Sequence, residues 1–238
     1  GPGDPDLLTL AALHALQAAD VIVHDQLSNS DILNYARRDA QRMDMGNETS
    51  DSTMSQGEIN TLLVRLAIEG KRVVRLKNGN PTILGQDFEE LAELRQHGIP
   101  VRVVPGITAA AGYPESAGAP LTYRDHASAM AFFSNKMHNG LPEPDWEALA
   151  RGDYTLAVYT VATTTDTVAL RLMEHGMDPE TPSVVVENGT LPGKRVLTGT
   201  LGELGALVSA NGVTAPVVIV IGEVGRLMSE APVRAIAV

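Results

Sequence analysis

Short apolar runs, many of them β-branched, alternate along this chain with longer stretches whose apolar positions recur at helical spacing. Runs at Asp20–His24, Arg72–Leu76 and Pro100–Val104, with a weaker one at Gln41–Gly46, predict strands separated by crossover helices. Such alternation implies a mostly parallel sheet. At the start, Gly1-Pro2-Gly3-Asp4-Pro5 forms a glycine turn in which Asp4 reads as an N-cap and Pro5 as the first helical residue, with the helix continuing through Leu7, Leu8, Leu10, Ala11 and Leu16. A capping box at Ser55 and Glu58 opens the helix Gln56–Glu69, which Gly70 stops, and Asp87–His97 ends in the same way at Gly98.

The rhythm breaks after Gly112, at Tyr113-Pro114 and the small-residue stretch Ser116–Pro120, which predicts a boundary between domains 1–114 and 115–238. A second set of strands follows at Ser128–Phe133, Tyr154–Tyr159, Pro182–Val186 and Pro216–Ile221, and Thr200 with Glu203 caps the last long helix. The expected architecture is therefore two α/β domains.

Composition narrows the function. The 238 residues are 44% hydrophobic and carry a formal charge of −11, so the chain can bury a substantial core and lacks the basic balance that nucleic acid demands. The Arg37, Arg38 and Arg42 group, or Lys71, Arg72, Arg75 and Lys77, could still build a positive cleft or simply a solvated face. Zero cysteines exclude disulfides and a thiol nucleophile and fit a reducing, cytoplasmic setting. No apolar run has membrane-spanning length. The six histidines include no pair at ligand spacing, so no metal site is expected. A dinucleotide module is disfavoured, because neither G-x-x-x-x-G-K-[ST] nor G-x-G-x-x-G after a strand is present.

In a parallel sheet the strand-to-helix loops gather at the carboxyl edge, where open α/β folds bind ligands. Asp25, Asn47, Asn78–Gly85 and Pro105-Gly106-Ile107-Thr108 each follow a predicted strand, as do Thr160 and Glu187-Asn188-Gly189-Thr190 in the second domain. A ligand cleft between the domains is expected there. Read from the residues alone, Asp25 is a general-base candidate or a loop aspartate, Thr108 a ligand contact or a helix cap, and Asn188-Gly189 a ligand contact or a turn. His24 could orient the neighbouring carboxylate.

In order and spacing, Gly1-Pro2-Gly3-Asp4-Pro5, His24-Asp25-Gln26-Leu27, Lys77-Asn78-Gly79-Asn80-Pro81, Pro105-Gly106-Ile107-Thr108-Ala109-Ala110, Pro120-Leu121-Thr122-Tyr123-Arg124-Asp125 and Val186-Glu187-Asn188-Gly189-Thr190 resemble the tetrapyrrole methylases. The resemblance spans nearly the whole chain and is nearest the branch that methylates uroporphyrinogen III. It implies a homodimeric two-domain methylase fold, mostly parallel sheets with an active-site cleft between the domains, and S-adenosyl-methionine as methyl donor, leaving S-adenosyl-homocysteine. It also implies two methyl transfers to pyrrole carbons on the route to sirohaem and cobalamin. By the same resemblance Pro2, Asn78, Gly79, Asn80, Ile83, Thr108, Ala109, Thr160 and Gly189 fall on donor-binding positions, and Asp25 on the proton acceptor. Thr122 and Arg124 are the candidates for the macrocycle and its carboxylates, the alternative for Arg124 being a surface salt bridge with Asp125.

Departures from the family pattern fall on functional positions. Asn47 stands where the family carries a lysine assigned as proton donor, and an amide donates only a hydrogen bond. Asn78-Gly79-Asn80 replaces glycine-glycine-aspartate, which predicts weaker donor binding. Thr160 replaces a methionine, Ser134-Asn135 a glycine-histidine pair, and Gln26 an arginine. Three readings follow: a methylase with a retuned cleft, a methylase for another tetrapyrrole, or a catalytically impaired member kept as a binding or dimerisation module. The family also places a hydrophobic strand before the glycine turn, so a chain trimmed at Gly1 is expected, with its sheet neighbours left short of a partner.

Overall fold

The computed structural model describes residues 2–46, 54–84, 88–118, 120–124, 126–134, 143–213 and 217–228. Asn47 lies outside them, as do Gly1, Gly85, Asp87, Asp125 and Asn135. The chain divides into two compact units, Gly1–Thr108 and Ala109–Val238. The division falls ahead of the predicted 114/115 boundary, because the helix Ala109–Ser116 packs its Ala110 and Tyr113 side, with Ala117 just after it, into the second unit's core.

The first unit is built on a parallel sheet in the order β2 (Gln41–Asp44), β1 (Val21–His24), β3 (Val73–Leu76). Strand alternation sends Ile22, Val74 and Leu76 to one face, against Leu16 of α1 (Leu10–Ala18) and Leu33. Val21, Val23 and Val73 go to the other, against Ile59, Leu62, Leu63 and Leu66 of α2 (Gln56–Ile68) and Leu94 of α3 (Phe88–Gln96). The Ser55–Glu58 capping box is present, and Gly70 and Gly98 end their helices with φ of +76° and +68°.

Two sequence expectations change here. The first helix does not run unbroken from Pro5: Asp4 caps a single 3-10 turn, Pro5–Leu7, and Thr9 then caps α1 with its side chain. Pro100–Val104 joins no ladder among the described residues. An apolar cavity of about 840 Å³ runs along β3, with residues 99–104 in its wall. An extended segment becomes a strand only when a neighbour takes up its N–H and C=O groups.

The second unit carries the sheet β4 (Ala129–Ser134), β5 (Tyr154–Thr160), β8 (Val217–Ile221), β6 (Pro182–Glu187), β7 (Arg195–Thr200). It is mixed, not mostly parallel: β4 and β5 run parallel, while β5/β8, β6/β8 and β6/β7 are antiparallel. Both faces are covered, by α5 (Trp146–Arg151), α6 (Thr165–Glu174) and α7 (Leu204–Ala210) on one side and α4 (Ala109–Ser116) with residues 223–228 on the other. Burial on two faces gives a continuous apolar run whichever way a strand points, so composition does not reveal direction. β7 went unpredicted because it is an edge strand, mostly exposed or half-buried, with Gly199 inside.

Candidate active site

In the first unit the ends of β1, β2 and β3 emerge at one sheet edge, as parallel pairing requires. Asp25 follows β1. Its carboxylate accepts from Arg75 Nη2, and its side chain remains partly exposed. The neighbouring His24 ring does not orient that carboxylate: it is buried, 2.9 Å from Asp25's backbone oxygen and 3.9 Å from Asp44 Oδ1.

The loop after β3 is stitched to the loop after β1 through one side chain. Asn78 Oδ1 accepts from the Ser28 N–H and hydroxyl, both at 3.1 Å, and Asn78 Nδ2 donates to the Gln26 carbonyl at 2.8 Å. Asn80 Oδ1 accepts from the Thr82 N–H at 3.0 Å and hydroxyl at 2.9 Å, and the Ile83 N–H closes a turn onto the Asn80 carbonyl. Asn78 therefore ties two loops together and Asn80 holds its own loop in shape, so the expectation that they weaken donor binding finds no support in their geometry.

The 105–108 loop meets the same place. A Cβ added to Gly106 would lie 2.3 Å from the Gly79 carbonyl oxygen, so only glycine lets the two backbones approach this closely. Pro2, Asn78, Gly79, Gly106 and Ile107 line the loop end of the cavity. Asn80, Ile83 and the buried Thr108 lie on these loops without lining it.

The second unit gathers Ala109, Thr160 and Gly189. Thr160 ends β5 and Glu187 ends β6, and both are in register with Val217 on either side of β8. Thr160 is buried and its hydroxyl bonds Thr164 Oγ1 at 2.8 Å. Ala110, in the first turn of α4, donates its N–H to the Tyr159 hydroxyl at 3.0 Å. Gly189 lies flush on Tyr113, whose ring carbons would be 2.3 Å from an added Cβ. Burial, with Tyr159 close by, pushes the Tyr113 hydroxyl pKa up. Asn188 takes φ of +51°, a turn conformation that asparagine tolerates. Thr122 and Arg124 are exposed in the turn where Tyr123 stacks on His126.

Of the basic groups that could build a positive cleft or a solvated face, Arg72, Arg75 and Lys77 are each paired with carboxylates. Arg72 pairs with Asp20 at 3.1 Å, and that guanidinium's hydrogen bonds lower the Asp20 carboxyl to about 2. Arg75 and Lys77 converge on Glu90, a buried α3 residue that sequence reasoning did not single out. The available signal was Arg75 inside an otherwise apolar strand, with Lys77 just past its end: such charges need a buried partner.

Comparison with known proteins gives the family and the fold. The Tetrapyrrole (Corrin/Porphyrin) Methylases profile matches residues 1–205. The siroheme synthase of Thiobacillus denitrificans is 46% identical over 227 residues, 95% of this chain and 47% of that protein. The chain thus spans about half the length of the curated relatives it matches. The crystal structure of uroporphyrin III C-methyl transferase from Thermus thermophilus superposes with a TM-score of 0.80 at 35% identity, covering 96% of each chain. That enzyme complexed with S-adenyl homocysteine gives a TM-score of 0.79 at 34% identity, again covering 96% of each chain.

Proposed function

The chain belongs to the tetrapyrrole methylases, and from that membership we propose that it methylates pyrrole carbons of uroporphyrinogen III, twice in succession, giving precorrin-2 on the route to sirohaem and cobalamin. The observation that carries the reading is the end-to-end likeness to a uroporphyrin III C-methyl transferase that also exists as an S-adenyl homocysteine complex. S-adenosyl-methionine supplies the electrophilic methyl group.

The residues present suit that donor. Close backbone approach at Gly79 and Gly106 in one unit, and the bare backbone of Gly189 against the Tyr113 ring in the other, suit main-chain groups facing a ligand. Pro2, Asn78, Gly79, Asn80, Ile83 and Thr108 in the first unit, with Ala109, Thr160 and Gly189 in the second, are the groups proposed to hold it. Methyl transfer needs alignment more than a covalent intermediate, so the chain's part is to orient the reactants and move protons. Asp25 is proposed to take the proton lost from the methylated carbon, and Asn47 to serve as a hydrogen-bond donor only. Thr122 and Arg124 are proposed to meet the macrocycle, where an arginine fork can pair with a carboxylate. Among the described residues no helix is long and apolar enough to cross a membrane. A cytoplasmic homodimer is the proposed working form.

Calorimetry with S-adenosyl-homocysteine, paired with transfer of labelled methyl from S-adenosyl-methionine to uroporphyrinogen III, tests the reading. Saturable binding with two methyls incorporated per macrocycle is expected. A flat titration would overturn it in favour of a fold-only member, and binding without incorporation would point to another tetrapyrrole.

A further inference from the structure

We infer that Arg75, held in place by Glu90, is a positioning residue that fixes the direction of the Asp25 carboxylate; the inference rests on the reading of Asp25 as proton acceptor.

The placement follows from strand alternation. Val23 of β1 and Arg75 of β3 are in register, and Asp25 lies one step beyond β1 on the face of Val21 and Val23. On that face β3 presents Val73 and then Arg75, where a helix-covered strand would ordinarily carry another apolar residue. The guanidinium is used on two sides. Nη2 donates to Asp25 Oδ1, and Nε lies 3.3 Å from each Glu90 oxygen. Lys77 Nζ, at 3.2 Å, and Gln56 Nε2, at 3.0 Å, also reach Glu90 Oε1. Two cations thus balance two carboxylates.

Such an arrangement is poorly explained as a stabilising device. Burying ion pairs costs desolvation that well-packed apolar residues would avoid. Arg75 Nη1 is buried with no hydrogen-bond partner among the described residues, a further cost. What the arrangement supplies is direction. Glu90 sits on α3 with its side chain only 5% exposed and holds the Nε side of a rigid planar fork, so the adjoining Nη2 is held toward Asp25, whose side chain is 39% exposed and otherwise able to swing. A lysine at position 75 would keep the charge but could not hold two donors in one fixed plane. Burial pushes the Glu90 carboxyl pKa up, but Arg75 and Lys77, with Gln56, more than reverse this and hold it below the usual range, so it stays an anion able to anchor the fork.

The test is a double-mutant comparison on the whole chain, with single-turnover methyl transfer and S-adenosyl-homocysteine affinity read in parallel. Asp25→Asn is expected to abolish most turnover. Arg75→Lys is expected to lower the transfer rate about 10- to 100-fold, the scale of a misplaced catalytic group, with donor affinity unchanged within about threefold. Arg75→Lys added to Asp25→Asn is expected to cost nothing more. Wild-type rate in Arg75→Lys, an equal loss of donor affinity, or a rate loss that multiplies onto that of Asp25→Asn would overturn the inference while leaving the Asp25 reading intact. Wild-type rate in Asp25→Asn would remove both. If Arg75→Lys does not fold, Glu90→Gln carries the test: a slower transfer rate with unchanged donor affinity supports the inference, and an unchanged rate overturns it.

Discussion

Asn78 shows how one side chain can reverse an expectation drawn from its type. As a replacement for glycine it reads as an obstruction, yet its amide makes three bonds that tie Gln26 and Ser28, on either side of Leu27, to the loop after β3. Asn78→Gly is therefore expected to lower stability by about 1 kcal/mol, since exposed hydrogen bonds contribute modestly and glycine adds unfolded-state freedom. A thermal melt should fall by about 2–4 °C on that account. Donor affinity, measured by calorimetry, should not improve. Asp25 was legible because it is an acidic residue directly after an apolar strand. Glu90 was not, because a glutamate in the first turn of a helix looks like ordinary dipole complementation until the fold brings Arg75 and Lys77 beneath it.

At the scale of elements, most caps and turn glycines were read correctly where the chemistry is local, Thr9 ahead of α1 being the exception. Ser55 with Glu58, Thr200 with Glu203, and the positive φ of Gly70 and Gly98 depend only on near neighbours. Elements that depend on a distant partner were read less well. Residues 100–104 have strand composition but no ladder among the described residues, and β8 runs against its neighbours β5 and β6 although its sequence carries no mark of direction. Thr9 joins the two cases. Its hydroxyl accepts from the Ala12 N–H at 3.3 Å as the cap of α1 and donates to the Pro105 carbonyl at 3.3 Å. Thr9→Ala should cost about 1 kcal/mol of stability, within the range for lost caps, and Thr9→Ser should recover most of it; urea midpoints decide.

Across the molecule, each compact unit has its own core, and the formal charge of −11 is spread over both. The buried carboxylate at Glu90 gives the chain a defined acid sensitivity. Its folded pKa is depressed by Arg75 and Lys77 despite burial, so its contribution to stability is complete above the unfolded glutamate value of about 4.3 and is lost as pH falls through the lower folded value. Melting temperatures between pH 6 and pH 3 should decline more shallowly in Glu90→Gln than in the unaltered chain. An equal slope would mean that other carboxylates govern acid unfolding.

The contact between Gly79 and Gly106 has its own consequence. With the carbonyl of one residue occupying the space where the other's side chain would begin, the two loops have no slack between them, and neither can change course unless the other gives way. Loops at the rim of an α/β sheet ordinarily drift apart in length and path as sequences diverge. These two are geared together, so any redesign of the pocket floor from one side becomes a redesign from both.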